Sequence, residues 1–282
     1  MRLDEKAMNV HLHISQWQAR KYDKKLSQEI ASQYQADSDV GRYNKVIIAR
    51  EAIKVIGRVV NEARTYHYDH TLPWLDNGAR ILPAKMFDEY SKRMREFHGK
   101  FDAEVGKFIS NYPDLIEQAR IELNGMFNGA DYPLLRELEY KFKFDMYISP
   151  IPTAGDFRVD LNQDEVEKIR KSVEDRVKRA EQIATKDLWS RLHEAIGHMA
   201  DKLTKSDTVF RDSLVNNLCE LVNLLPMLNI NEDPELERMR REVESRLCVS
   251  EPQELRDDLN KRQAAKQAAD ELLNQMSGYI GG

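Results

Sequence analysis

"VEKIRKSVEDRVKRAEQIATKDLWSRLHEAIGHMADKL", Val166 to Leu203, decides how the rest of this 282-residue chain is read. Its apolar side chains fall at Val166, Ile169, Val173, Val177, Ala180, Ala184, Leu188, Leu192, Ala195, Met199 and Leu203, ten steps over 37 positions. A mean spacing of about 3.7 keeps them on one face of an α-helix and exceeds the 3.5 of a left-handed coiled coil, so a straight or faintly right-handed helix pair is expected. The helix should run from about Gln163 to Lys205. Its outer faces carry Lys168, Arg170 and Lys171, then Arg176, Lys178 and Arg179, interleaved with Glu167, Glu174 and Glu181. Such a pattern is either a solvated face or a phosphate-binding strip.

The same stretch contains "HEAIGH", one residue longer than the H-E-x-x-H of zinc hydrolases. At about 100° per residue, histidines four apart lie about 40° apart and can share a metal, whereas His193 and His198, five apart, are separated by about 140°. One is expected at the seam edge and the other in solvent, with no metal between them.

Working outward, helical periodicity recurs. From Lys45 to Tyr66, Val46, Ala49, Ile53, Ile56, Val60 and Ala63 form a face opposite Lys54, Arg58 and Glu62. From Pro83 to Asn111 the seam is larger: Met86, Tyr90, Met94, Phe97, Phe101, Val105 and Phe108. Further helices are expected over Gln16 to Gln33, Pro113 to Met126, Pro133 to Lys141 and Thr208 to Leu225, with Pro226 ending the last of these. Asp233 should cap a helix starting at Pro234, and Glu251 to Ser277 should be a single helix with a narrow apolar stripe.

Alternation of period two appears in "NVHLHIS", with Val10, Leu12 and Ile14 facing inward and His11 and His13 outward. It recurs in "KFDMYISPIPTAGDFRVDL", Lys143 to Leu161, which reads as a hairpin. The fold expected is mainly α, an elongated multi-helix assembly with long antiparallel helices and a small antiparallel sheet of about three strands. Residues 1–205 would form its core and 206–282 a C-terminal helical extension packing on that core.

Composition narrows the function classes. A charged fraction of 32% beside 41% hydrophobic residues, with 12 Gly and 9 Pro, fits a helix-rich chain with few turns. A net charge of −5 does not suit a dedicated nucleic-acid binder. No run is long and uncharged enough to span a bilayer, and the first thirty residues hold no leader-like segment. Cys219 and Cys248, without metal-ligand spacing, are expected as isolated packed side chains in a reducing, cytoplasmic setting. No phosphate loop, nucleophile elbow or close carboxylate pair is present, so no catalytic residue and no cofactor is assigned.

The irregular segments hold the candidate binding residues. "HTLPWLDNGARILPA", His70 to Ala84, contains Trp74, Asp76 and Arg80 around an Asn77-Gly78 turn signal. Either Trp74 plugs the core while Asp76 pairs with Arg80, or the loop presents Trp74 and Arg80 to a partner. Asp156 and Arg158 offer a local ion pair or a second polar contact. The alternative nucleic-acid surface would combine Lys92, Arg93 and Arg95 with the six basic residues from Lys168 to Arg179.

"LPWLDNGARILP", "NGADYP" and "SPIPTAGDFRVDL", in that order with helices between, resemble a family of phage and bacterial proteins known as a domain of unknown function, over about residues 5 to 205. The family pattern often has a second acid before the glycine and an aromatic after it, and "PWLDNGARIL" departs from both. The family has no established activity, so the resemblance assigns no catalytic residue. It implies a phage-encoded protein made beside a MoxR-type AAA+ ATPase and a von Willebrand factor A-type protein. A non-enzymatic protein-interaction factor in the host cytoplasm is therefore expected, with the ATPase as suspected partner and self-association open. Nucleic-acid association in phage replication or packaging is the alternative.

Overall fold

The structure is a computed structural model and describes residues 2–75, 78–156, 162–204 and 211–280. In chain order the elements are α1 (Leu3–Lys6), β1 (Ala7–Ser15), β2 (Arg20–Tyr22), α2 (Lys24–Gln33), β3 (Asn44–Val46), α3 (Arg50–Asp69), β4 (Leu72–Pro73) and β5 (Arg80–Pro83). They continue with α4 (Phe87–Leu123), α5 (Leu135–Leu138), β6 (Lys143–Pro150), α6 (Gln163–Thr204), α7 (Ser213–Leu228), α8 (Pro234–Leu247), α9 (Pro252–Asp257) and α10 (Leu259–Ile280). The fold is mainly α with a small antiparallel sheet. Among the described residues no helix is long and apolar enough to cross a membrane.

Two compact units emerge, and they interleave along the chain. One holds residues up to His11, His67–Tyr90 and Tyr147 onward; the other holds Leu12–Tyr66 and Ser91–Met146. α7 to α10 fall in the same unit as α6 and bury apolar faces there. Ala180, Ala184, Leu188, Leu192, Met199 and Leu203 are buried on α6, and Ala265, Ala269, Leu272 and Met276 on α10. The two helices run antiparallel. Buried Arg262, near the start of α10, donates to the carbonyls of Leu203 and Lys202 and satisfies the open end of α6. At the other end, Tyr279 stacks on Trp189 at 4.3 Å.

The sheet exceeds expectation. It has four strands in the order β4-β5-β1-β6, and a separate pair joins β2 to β3. The segment His70 to Ala84, expected as a loop, supplies β4 and β5. Leu72 faces Ile81, Pro73 faces Arg80, and β5 lies on β1 with Asn9 opposite Ile81. Gly78 takes the positive φ of +76° in the turn between them, which a side chain would disfavour. β6 forms as expected, while the second hairpin strand, residues 157–161, lies outside the described residues.

Helix boundaries moved where side chains competed for the backbone. Pairing of Arg20–Tyr22 with Asn44–Val46 delays α2 to Lys24 and α3 to Arg50, and Asp23 caps α2 by accepting from Leu26 N. Pro113 does not end a helix. α4 runs through it, because Phe108, Tyr112 and Ala119 on either side are buried along one seam and their packing outweighs the missing amide hydrogen bond. Pro226 is likewise carried inside α7 between buried Leu225 and Leu228. Asp233 caps α8 as expected. The single helix expected from Glu251 breaks at Asp258, whose side chain accepts from Asn260 N and Lys261 N.

The cysteines are also corrected. Cys219 on α7 and Cys248 at the end of α8 are joined in a disulfide, their Cα atoms 5.7 Å apart. Sequence spacing could not show this, since helix packing brings together residues 29 positions apart.

Candidate binding surfaces

The His70–Ala84 segment is a packed hairpin. Trp74 is 2% exposed, among the largest fully buried side chains, so it is a core residue and has no face to present to a partner. Asp76 lies outside the described residues. Arg80 is half-buried and committed inward: Nε donates to Thr71 Oγ1 at 2.6 Å, and Nη2 donates to the Thr71 carbonyl at 2.8 Å. Its guanidinium also lies 4.7 Å from the Tyr68 ring centroid. Arg191 of α6 donates to the same Thr71 carbonyl and to that of Asp69, and pairs with Asp187 at 2.7 Å. Two guanidiniums therefore close the last turn of α3, where carbonyls lack partners and the helix dipole favours positive charge. The role is structural, and the presented-loop expectation for Trp74 and Arg80 is set aside.

His67 completes this cluster. It is buried, and its Nδ1 shares a 2.6 Å hydrogen bond with the Tyr90 hydroxyl. Burial and then the neighbouring Arg80 charge hold its pKa down at about 4. Between pH 6.5 and 4 the unfolded chain takes up a proton that the folded chain refuses. Stability is full above that window and should fall by about 3 kcal/mol towards its acid end. Urea midpoints across this range should fall less steeply for His67→Gln than for the parent protein; equal slopes would refute the assignment.

The remaining expected residues divide. Asp156 ends a 3-10 turn, Ala154–Asp156, and Arg158 lies outside the described residues. Lys92, Arg93 and Arg95 are exposed on α4, where Arg93 pairs with Glu96 at 2.8 Å and covers Phe97. On α6, Lys168, Lys171, Arg176, Lys178 and Arg179 line a shallow concavity of about 630 Å³. Asp175 is the acid among its lining residues, and Glu167, Glu174 and Glu181 lie off it. Arg170, though exposed, also lies off it. The α4 and α6 stretches belong to different units. In "HEAIGH", α6 is regular, so the angular argument holds, with His193 half-buried and His198 exposed.

One surface was missed. "QADSDVGRYN", residues 35–44, together with α2 walls an apolar groove of about 300 Å³ lined by Ile30, Ala31, Tyr34, Ala36, Val40 and Tyr43. Tyr34 is 76% and Val40 69% exposed. The loop is tied down rather than loose. Tyr43 N donates to Ser27 Oγ at 2.9 Å, Asp23 N donates to the Tyr43 carbonyl, and Ala36 N donates to the Ala31 carbonyl. At the start of α2, buried Lys45 pairs with Asp131 at 2.7 Å and with the cap residue Asp23 at 3.4 Å and donates to the Met126 carbonyl. Large apolar side chains at 30, 34, 40 and 43 within a polar segment were the available signal.

Comparison of the chain with protein-family models, with curated proteins and with solved structures finds no match in any of the three.

Proposed function

We propose that this chain is a non-enzymatic protein-interaction factor that receives an apolar segment of a partner protein in the groove walled by α2 and residues 34–43. The observation that carries this reading is the groove itself: exposed Tyr34 and Val40 on a backbone pinned by hydrogen bonds. Clustered exposed apolar side chains on a rigid frame are typical of protein docking sites, because the ordering cost is met before the partner arrives. The family resemblance puts a MoxR-type AAA+ ATPase first among partners, with this chain as its adaptor or regulator in the host cytoplasm.

The test is titration of the purified neighbouring-gene ATPase against the full chain, with and without ATP. Tyr34→Asp and Val40→Asp, both at exposed positions, should weaken binding about tenfold or more while leaving the melting curve in place. Undiminished binding in these folded variants would sink the groove, and no binding to the wild type would remove the ATPase.

A second reading rests on the five cations around the α6 concavity, which suit a phosphate backbone. It expects duplex DNA binding with a log–log salt slope of about −3 to −4, flattened by Lys171→Glu with Arg179→Glu. A slope near zero removes it.

A further inference from the structure

Two recesses along α6 run into one another. The concavity with five cations shares Lys178 and Gln182 with a second recess of about 490 Å³, which continues past Lys186 to Trp189 of α6, Asn231 of the turn before α8 and Tyr279 of α10. All of these residues belong to one unit. At about 100° per residue, Lys168, Lys171, Lys178, Arg179, Gln182 and Lys186 fall within about 100° of arc on the side opposite the apolar seam, and Trp189 lies in line with them. From Lys168 to Trp189 the strip is about 32 Å long.

Its cations are uncommitted. Among the described residues Lys171, Arg176, Lys178 and Arg179 form no ion pair, whereas on α8 Arg238, Arg240 and Arg241 each pair with a glutamate three or four positions away. Asp175 is the acid among the lining residues of the first recess and Glu181 that of the second. Unpaired like charges in successive turns favour a polyanion. The net charge of −5 is spread over the whole chain, and screening over about 8 Å lets the local strip dominate what approaches it.

The strip ends on an aromatic platform. The Tyr279 ring lies parallel to the Trp189 indole with centroids 4.3 Å apart, and its hydroxyl donates to Glu235 Oε2 at 3.1 Å. Trp189 is buried and its Nε1 donates to Asp233 Oδ2 at 3.2 Å, while Asn231 Nδ2 donates to Thr185 Oγ1 at 2.8 Å and pins the turn before α8 to α6. Tyr279 is 41% exposed, and with one face against the indole its open surface is the other face and the ring edge. The neighbouring acids are engaged, Glu235 with Arg238 and Asp233 with the first amides of α8. A duplex keeps its bases inside and gives this ring nothing to stack on, whereas an unpaired base can cover it.

We propose that this strip binds single-stranded nucleic acid, with the α6 cations holding phosphates and Tyr279 stacking an unpaired base at the end of the track. The proposal rests on the phosphate reading of the α6 cations and adds the platform, from which the preference for a single strand follows. It is independent of the groove on α2, which lies in the other unit.

Fluorescence anisotropy of the full chain with labelled oligomers of about 12 nucleotides tests it. The probes are a single strand, as DNA and as RNA, the same sequence as a duplex, and an abasic strand of equal length. The intact single strand should bind about tenfold or more tighter than the duplex or the abasic strand, and the tighter of DNA and RNA identifies the sugar. Tyr279→Leu, which keeps an apolar cover on Trp189, should remove that advantage with the melting curve in place, and Tyr279→Phe should preserve it. Lys171→Glu with Arg179→Glu should weaken every probe and flatten the salt dependence. A duplex or abasic strand bound as tightly as the intact single strand, or a folded Tyr279→Leu variant that keeps the full preference, would overturn the proposal and leave the phosphate reading standing. Absence of binding to every probe at low salt would remove both.

Discussion

Trp74→Ala is expected to destabilise the protein by about 4 kcal/mol, the cost of removing a large buried indole and leaving a cavity that the hairpin cannot refill. Trp74 follows β4 directly, and in the same segment Leu72, Ile81 and Leu82 are completely buried and Ala79 nearly so. Leu72, Ile81 and Leu82 are fixed by strand pairing, which leaves this buried part of the segment little freedom to collapse inward. Urea unfolding followed by far-ultraviolet circular dichroism reads the effect directly. The result also separates two roles for the residue. A core tryptophan loses stability on truncation and leaves partner affinity unchanged per folded molecule. A presented one would keep its midpoint and lose affinity, and that outcome would reverse the assignment made from its burial.

Lys45→Met should cost a comparable amount, about 3 to 5 kcal/mol, because it removes one partner from a buried ion pair and strands the others. The Lys45 side chain is 4% exposed, while the Asp131 and Asp23 carboxylates are 11% and 23% exposed. Burial works against the charged amine, but the hydrogen bonds and charges of Asp131 and Asp23 outweigh it and raise its pKa above the ordinary lysine value. Its contribution is therefore complete below the unfolded-state value of 10.5 and is lost as pH climbs through the higher folded value. Wild-type stability should drop in that alkaline range more than that of Lys45→Met. The substitution has a second reading, since Asp23 caps α2, and Ile30 and Ala31 of α2 line the groove. Groove binding should fall with Lys45→Met even under conditions where the variant is folded. Persistence of full affinity would show that the groove does not depend on the Lys45–Asp23 pair at the α2 cap.

Side-chain periodicity fixed more of this structure than the irregular segments did. The α4 seam from Met86 to Phe108 is buried at each expected position, and the exposed stripe Lys54, Arg58 and Glu62 on α3 is where its spacing placed it. These are properties of one helix against water, and a local pattern encodes them. The apolar groove was not legible in the same way. Its walls are joined by hydrogen bonds between residues as far apart as Ser27 and Tyr43. Residue type alone also left Trp74 and Arg80 between two readings: tryptophan and arginine are favoured at binding hot spots, but they equally fill cores and close helix ends, and only burial separates those uses.

The sequence by itself determined that the chain is mainly helical, that α6 is a regular helix of its full length, and that His193 and His198 cannot share a metal on it. Helix periodicity and the angle between positions are properties of a single segment and need no neighbour. Tertiary structure alone decided that a supposed loop is two strands of the sheet, that Pro113 and Pro226 sit inside helices, and that Cys219 meets Cys248. In each of those cases the deciding free energy comes from burial or bonding against residues distant in the chain, and it exceeds the local preference that the sequence displays.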